Sequence, residues 1–170
     1  SRRARAMKLL GITGPSDEPI AYAHLLDVLG LIDALWCCRV EPQHAATWRR
    51  YSVWCARQVQ HLLTNPRSLA ALDVAERHAE GKATDQELAA AAAAARDAAR
   101  DAVGAGATVT ANAAWAAADT AWAAADITWA ASAIFAALAA GGAGDAAWAA
   151  MRQRQAEAFR QLVTTGELPA

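Results

Sequence analysis

Seven consecutive alanines, Ala89 to Ala95, leave a chain little choice but a helix: alanine has the highest helix propensity and too little bulk to cover a strand face. They belong to a wider pattern, since 50 of the 170 residues are alanine. Helix signals recur along the chain. No stretch alternates apolar and polar residues with the Val, Ile, Thr and Tyr enrichment of strands. The expected class is all-α: a single-domain helical bundle over residues 1–170, with about six main helices and residues 1–15 as a mobile N-terminal arm.

Capping signals set the expected boundaries. Gly11 to Pro19 reads as a loop, followed by one helix to about Val40 that is apolar around more than half its circumference and so the expected central helix. Pro42 opens an amphipathic helix with His44, Trp48, Ser52, Cys55, Val59 and Leu62 on one face. Asn65-Pro66 starts the next, which stops at Gly81. Thr84 to Glu87 matches the capping box of a helix ending near Gly104 and Gly106. A long Ala/Trp-rich helix then runs from about Thr108 to Ala140, and a last one from Gly144-Asp145 to Gly166. Short loops favour antiparallel neighbours.

In the long helix Trp115, Trp122 and Trp129 recur every seven residues, as do Asp119 and Asp126. At about 100° per residue all five share one stripe. Its first reading is core packing, tryptophan knobs against alanine holes, in which case the two carboxylates need arginine or amide partners. Its second is an exposed acidic-aromatic surface for a basic partner, or a face that pairs with its twin in a homodimer. A second candidate partner-binding surface is Arg50, Trp54, Arg57 and His61, read on the outward side of the helix after Pro42. The alternative there is Trp54 under a neighbouring helix and the arginines paired with Asp or Glu.

Sixteen Lys and Arg against seventeen Asp and Glu give a net charge of -1, so no broad positive field exists for nucleic acid. Asp119 and Asp126 interrupt the one segment apolar enough to consider for a membrane, and no secretory h-region follows the basic start, so the expected compartment is the cytoplasm. Cys37, Cys38 and Cys55 are not a disulfide framework, and adjacent cysteines cannot both point easily at one tetrahedral metal. His24, His44, His61 and His78 form no zinc signature, and no phosphate-binding glycine motif or nucleophile elbow occurs. The expectation is no catalytic residue, no metal and no cofactor. An enzyme or ligand-binding protein would have to assemble a tertiary site from His24, Asp27, Asp33 or Glu76 near Arg57. Asp73 reads as a surface partner of Arg77, and Glu76 as paired with an arginine.

The segments Trp54-Cys55-Ala56-Arg57, Pro66-Arg67 and Ala70 to Gly81 (AALDVAERHAEG), followed by Ala-rich helices, resemble the immunity proteins associated with bacterial toxin systems and related Ala-rich helical bacterial and phage proteins. The resemblance spans about Trp54 to Ala140. It implies a small helical protein that binds and neutralises a protein partner without catalysis, such as a toxin; a phage-encoded inhibitor of a bacterial defence system would read the same way.

Overall fold

The computed structural model describes residues 2–121, 135–136, 138–139 and 141–170. Every regular element among them is helical. The α-helices are α1 (Arg2–Leu9), α2 (Tyr22–Leu29), α3 (Leu31–Cys37), α4 (Ala45–Arg57), α5 (Pro66–Ala79), α6 (Asp85–Gly104), α7 (Thr108–Ala121) and α8 (Asp145–Thr165). Single 3-10 turns lie at Cys38–Val40, Pro42–His44, Gln60–Leu62 and Gly141–Ala143. No helix among the described residues is long and apolar enough to cross a membrane.

The caps sit where the sequence puts them. Asn65 Oδ1 accepts from the Arg67 backbone N–H at 3.0 Å. Thr84 and Glu87 close both arms of a capping box at 2.7 and 3.2 Å, each satisfying a backbone N–H that the first turn leaves without a partner. Gly166 closes α8 in the left-handed conformation. The helix expected from Pro19 to Val40 is overturned: it begins at Tyr22 and divides at Gly30, whose φ of 80° and ψ of 169° only glycine adopts readily. The Gly30 N–H still bonds Leu26 O, and its carbonyl accepts from Ala34 N–H, both at 3.0 Å, so α2 and α3 abut through one residue.

The central helix is α4, not the segment before it. Trp48, Arg49, Tyr51, Ser52, Val53, Trp54, Cys55 and Ala56 are all buried, because α5, α7 and α8 pack around it. One side of the molecule is aromatic. Tyr22 meets Trp48 edge-on at 5.1 Å between ring centroids, and Tyr51 meets Phe159 at 5.4 Å. The Tyr51 hydroxyl donates to Gln155 O of α8 at 3.0 Å. Cys38 and Cys55 are enclosed here, and burial pushes the Cys55 thiol up to about 12.

The other side is an alanine seam joining α5, α6 and α7 through Ala71, Ala75, Ala92, Ala95, Ala118 and Ala121, with Val53 and Leu88 between them. Side chains this small let helix backbones approach closely. Of the long helix expected to reach Ala140, the first part is α7; residues 122–134, with Trp122, Asp126 and Trp129, lie outside the described residues. The turn before α8 packs onto the start of α7 so tightly that a Cβ at Gly142 would fall 2.4 Å from Val109 Cγ2.

Candidate functional site

Helices α4 and α5 lie antiparallel, so the stripe Arg50, Val53/Trp54, Arg57 of α4 faces Glu76 and Glu80, one turn apart on α5. Together with Leu168 of the C-terminal segment these residues line a cleft of about 270 Å³. Val53, Trp54 and Leu168 supply its apolar lining, and Arg50, Arg57, Glu76 and Glu80 its charged lining.

The rim charges are largely committed to one another. Arg57 Nη2 donates to Asp73 Oδ1 at 2.6 Å and to Glu76 Oε2 at 2.9 Å, while its Nη1 donates to Gln60 Oε1 at 3.1 Å. Burial pulls the Arg57 guanidinium down, but its hydrogen bonds to the two carboxylates outweigh that and hold it above its ordinary value. The expectation that Asp73 pairs with Arg77 is therefore overturned. Arg57 reaches across from α4 and takes Asp73, while Arg77 lies 3.8 Å from Glu87. Glu80 accepts from Lys82 at 2.9 Å, which lowers its carboxyl, and the charge of Arg50 lowers it further. Arg50 itself is exposed.

Trp54 does not lie on the outward side that its spacing suggests: it is 9% exposed. The reason is tertiary. The indole N–H donates to Pro169 O at 3.0 Å, the Arg154 guanidinium sits 5.6 Å from the ring centroid, and Tyr51 stacks on it at 6.4 Å. The C-terminal segment thus straps Trp54, which remains part of the cleft lining. His61 is exposed and off the stripe, because α4 stops at Arg57 and a 3-10 turn follows.

No known family, curated protein or solved structure matches this chain.

The second predicted group is described only at Trp115 and Asp119. Trp115 is half-buried, packs against both the aromatic core and the alanine seam, and stacks on Phe135 at 6.2 Å. Asp119 is half-buried one turn on. Burial pushes its carboxyl up to about 6, against the opposing pull of Arg96. Neither lines the cleft between α4 and α5.

The residues named for a tertiary enzymatic site fall into separate pairs rather than one cluster. Asp27 is hydrogen-bonded to Arg160 of α8, which holds its carboxyl low, with a smaller contribution from the charge of His24; Asp33 lies 3.9 Å from Arg5; Glu76 does lie beside Arg57, at 2.9 Å. No group of three or more His, Cys, Asp or Glu side chains able to hold a metal occurs among the described residues.

One polar constellation escapes sequence reasoning. Buried Arg49 donates from Nη1 to His78 Nδ1 at 3.0 Å, and His78 Nε2 donates to Asp85 Oδ1 at 2.7 Å, tying α4 to α5 and to the start of α6. Arginine has no acceptor, so in this pair the ring nitrogen Nδ1 of His78 accepts. No local signal marks these residues, because three separate elements supply them. Leu168 in the cleft lining and Pro169, which accepts from Trp54, are invisible for the same reason.

Proposed function

We propose that the protein works by binding another protein, in the manner of an immunity or inhibitor protein, and that the cleft between α4, α5 and the C-terminal segment takes a side chain of that partner. The observation that carries this reading is the cleft's construction. Val53, Trp54 and Leu168 line it together with Arg50 and Arg57, and Trp and Arg are the residues that most often dominate binding at protein interfaces. At about 270 Å³ the cleft is slightly smaller than the usual ligand pocket of about 300 to 1,000 Å³. Its arginine-bound carboxylates favour recognition over proton transfer, since Glu76 and Asp73 already accept from Arg57. The stretch that resembles immunity proteins, Trp54 to Gly81, supplies Trp54, Arg57, Glu76 and Glu80 of the lining. A bacterial cytoplasmic setting and a toxin as partner belong to the same proposal.

The test places a photo-crosslinking residue at position 50 and, as control, at exposed Arg100 of α6, in a bacterial host carrying the native gene neighbourhood. A discrete adduct from position 50 alone identifies the partner, which is then purified and titrated against wild type and Arg50→Glu. Arg50 is exposed and its attraction to Glu80 is a surface one, so the substitution costs the fold less than about 1 kcal/mol while weakening binding at least about tenfold, or 1.4 kcal/mol. No adduct specific to position 50, or equal affinity for both chains, overturns the proposal.

A further inference from the structure

The segment after α8 lies on the molecule as a bound peptide would. Helix α8 closes at Gly166, whose φ of 81° and N–H bond to Leu162 O at 2.8 Å turn the chain out of the helix. Residues 167–170 then continue in neither helix nor strand. Glu167 is exposed, and its N–H donates back to Thr165 Oγ1 at 3.2 Å. Leu168 and Pro169 are half-buried, and Leu168 packs on the core. Among the described residues, one hydrogen bond ties this segment to the fold beyond α8: the Trp54 indole N–H donates to Pro169 O at 3.0 Å. One apolar anchor and one main-chain carbonyl therefore hold the segment over Trp54. Lifting it frees that N–H and joins the space under Leu168 to the cleft between α4 and α5, whose lining includes Leu168.

We propose that this groove takes a non-helical segment of the partner protein that presents one leucine-like side chain and one main-chain carbonyl, and that residues 167–170 hold its place until it arrives. The inference rests on the reading of the cleft as the partner-binding site. The chain's own segment shows the chemistry that fits. Charge selects nothing here, since Arg50 and Arg57 balance Glu76 and Glu80 in the lining and Arg57 is already bonded to Glu76. What remains for recognition is apolar area and an indole donor, and Leu168 and Pro169 satisfy both within the chain. A buried donor without an acceptor is costly, so the Trp54 N–H keeps Pro169 until another carbonyl replaces it. A segment held by so few contacts opens at a small fraction of the global free energy, which makes the exchange feasible.

The experiment follows the Trp54 indole N–H cross-peak in nitrogen-proton NMR of the full chain, assigned by its loss in Trp54→Phe. The probes are a synthetic peptide reproducing residues 166–170 with blocked ends, and the same peptide with alanine for its leucine. In Leu168→Gly/Pro169→Gly the bundle still melts cooperatively, and the cross-peak moves toward the position of a water-exposed indole. The leucine peptide titrates it back toward the wild-type position, and the alanine peptide binds at least about fivefold more weakly. Wild type takes the leucine peptide at least about tenfold more weakly than the variant does, because its tethered competitor acts at an effective concentration on the order of millimolar. A variant that no longer folds, an unmoved cross-peak, no titration by the leucine peptide, equal effects of the two peptides, or equal affinity of wild type and variant each overturns the proposal. So does a wild-type dimer in sedimentation that the variant loses, which makes a second copy's segment the occupant. The titration needs no partner, so its failure leaves an adduct from position 50 standing, and a missing adduct leaves the titration standing.

Discussion

The two sides of α4 are built on opposite principles. Toward α2 and α8 it meets large rings, with Trp48, Tyr51, Tyr22 and Phe159 interlocked at centroid distances of 5.1 to 6.3 Å. Toward α5 and α7, Val53 enters a seam made mostly of alanine methyls. The aromatic side gains from area and shape, since each ring buries a large surface in few orientations. The seam gains little per side chain, but it loses almost no side-chain entropy and lets three helices approach one another. Removing atoms should therefore hurt the first region, and adding them the second.

Phe159→Ala is the largest expected break, about 3 to 5 kcal/mol in chemical denaturation, because it empties the centre of the ring cluster. Ala95→Leu tests the opposite side. Ala95 is fully buried, and the added methylenes should cost about 1 to 3 kcal/mol through overpacking, where an exposed Ala93→Leu costs less than about 0.5 kcal/mol. Equal tolerance at the two positions would show that the seam is loosely packed.

Polar groups sharpen the same contrast. Asp119, beside the seam, has its carboxyl raised to about 6 by burial, so between the ordinary aspartate range and pH 6 the folded chain holds a proton that the unfolded chain releases. Its contribution is most favourable in acid and is lost as pH rises through about 6. Asp119→Asn should raise stability above pH 6 by about 1 kcal/mol, allowing for screening by water, and leave it unchanged near pH 4; melts across pH 4 to 8 read the difference. In the ring cluster the Tyr51 hydroxyl instead has its partner, Gln155 O, and Tyr51→Phe should cost about 0.5 to 1 kcal/mol at every pH in that range.

What the sequence made legible was local. Asn65-Pro66, the Thr84/Glu87 box and the closing Gly166 each act within a few residues, and each sits where its chemistry requires. Gly30 acts locally too, but the apolar period runs through it, and its positive φ divides the helix in two. The α4 stripe was legible as Arg50, Trp54 and Arg57, yet its orientation was not. Its exposure depends on Leu168 and Pro169, more than a hundred residues away, and Asp73 chose a cross-helix arginine over the one at its own helical spacing. A residue's own helix says which face it occupies; only the packing says whether that face meets water.

The two enclosed cysteines turn the ring cluster into its own clock. Neither Cys38 nor Cys55 can meet a water-borne alkylating reagent while α4 stays covered, and burial keeps both thiols protonated. Half-buried Cys37 sits one position from Cys38. Labelling of Cys37 therefore follows the breathing of α3, and labelling of Cys55 waits for the bundle to open, so mass spectrometry of one untagged sample can time both events.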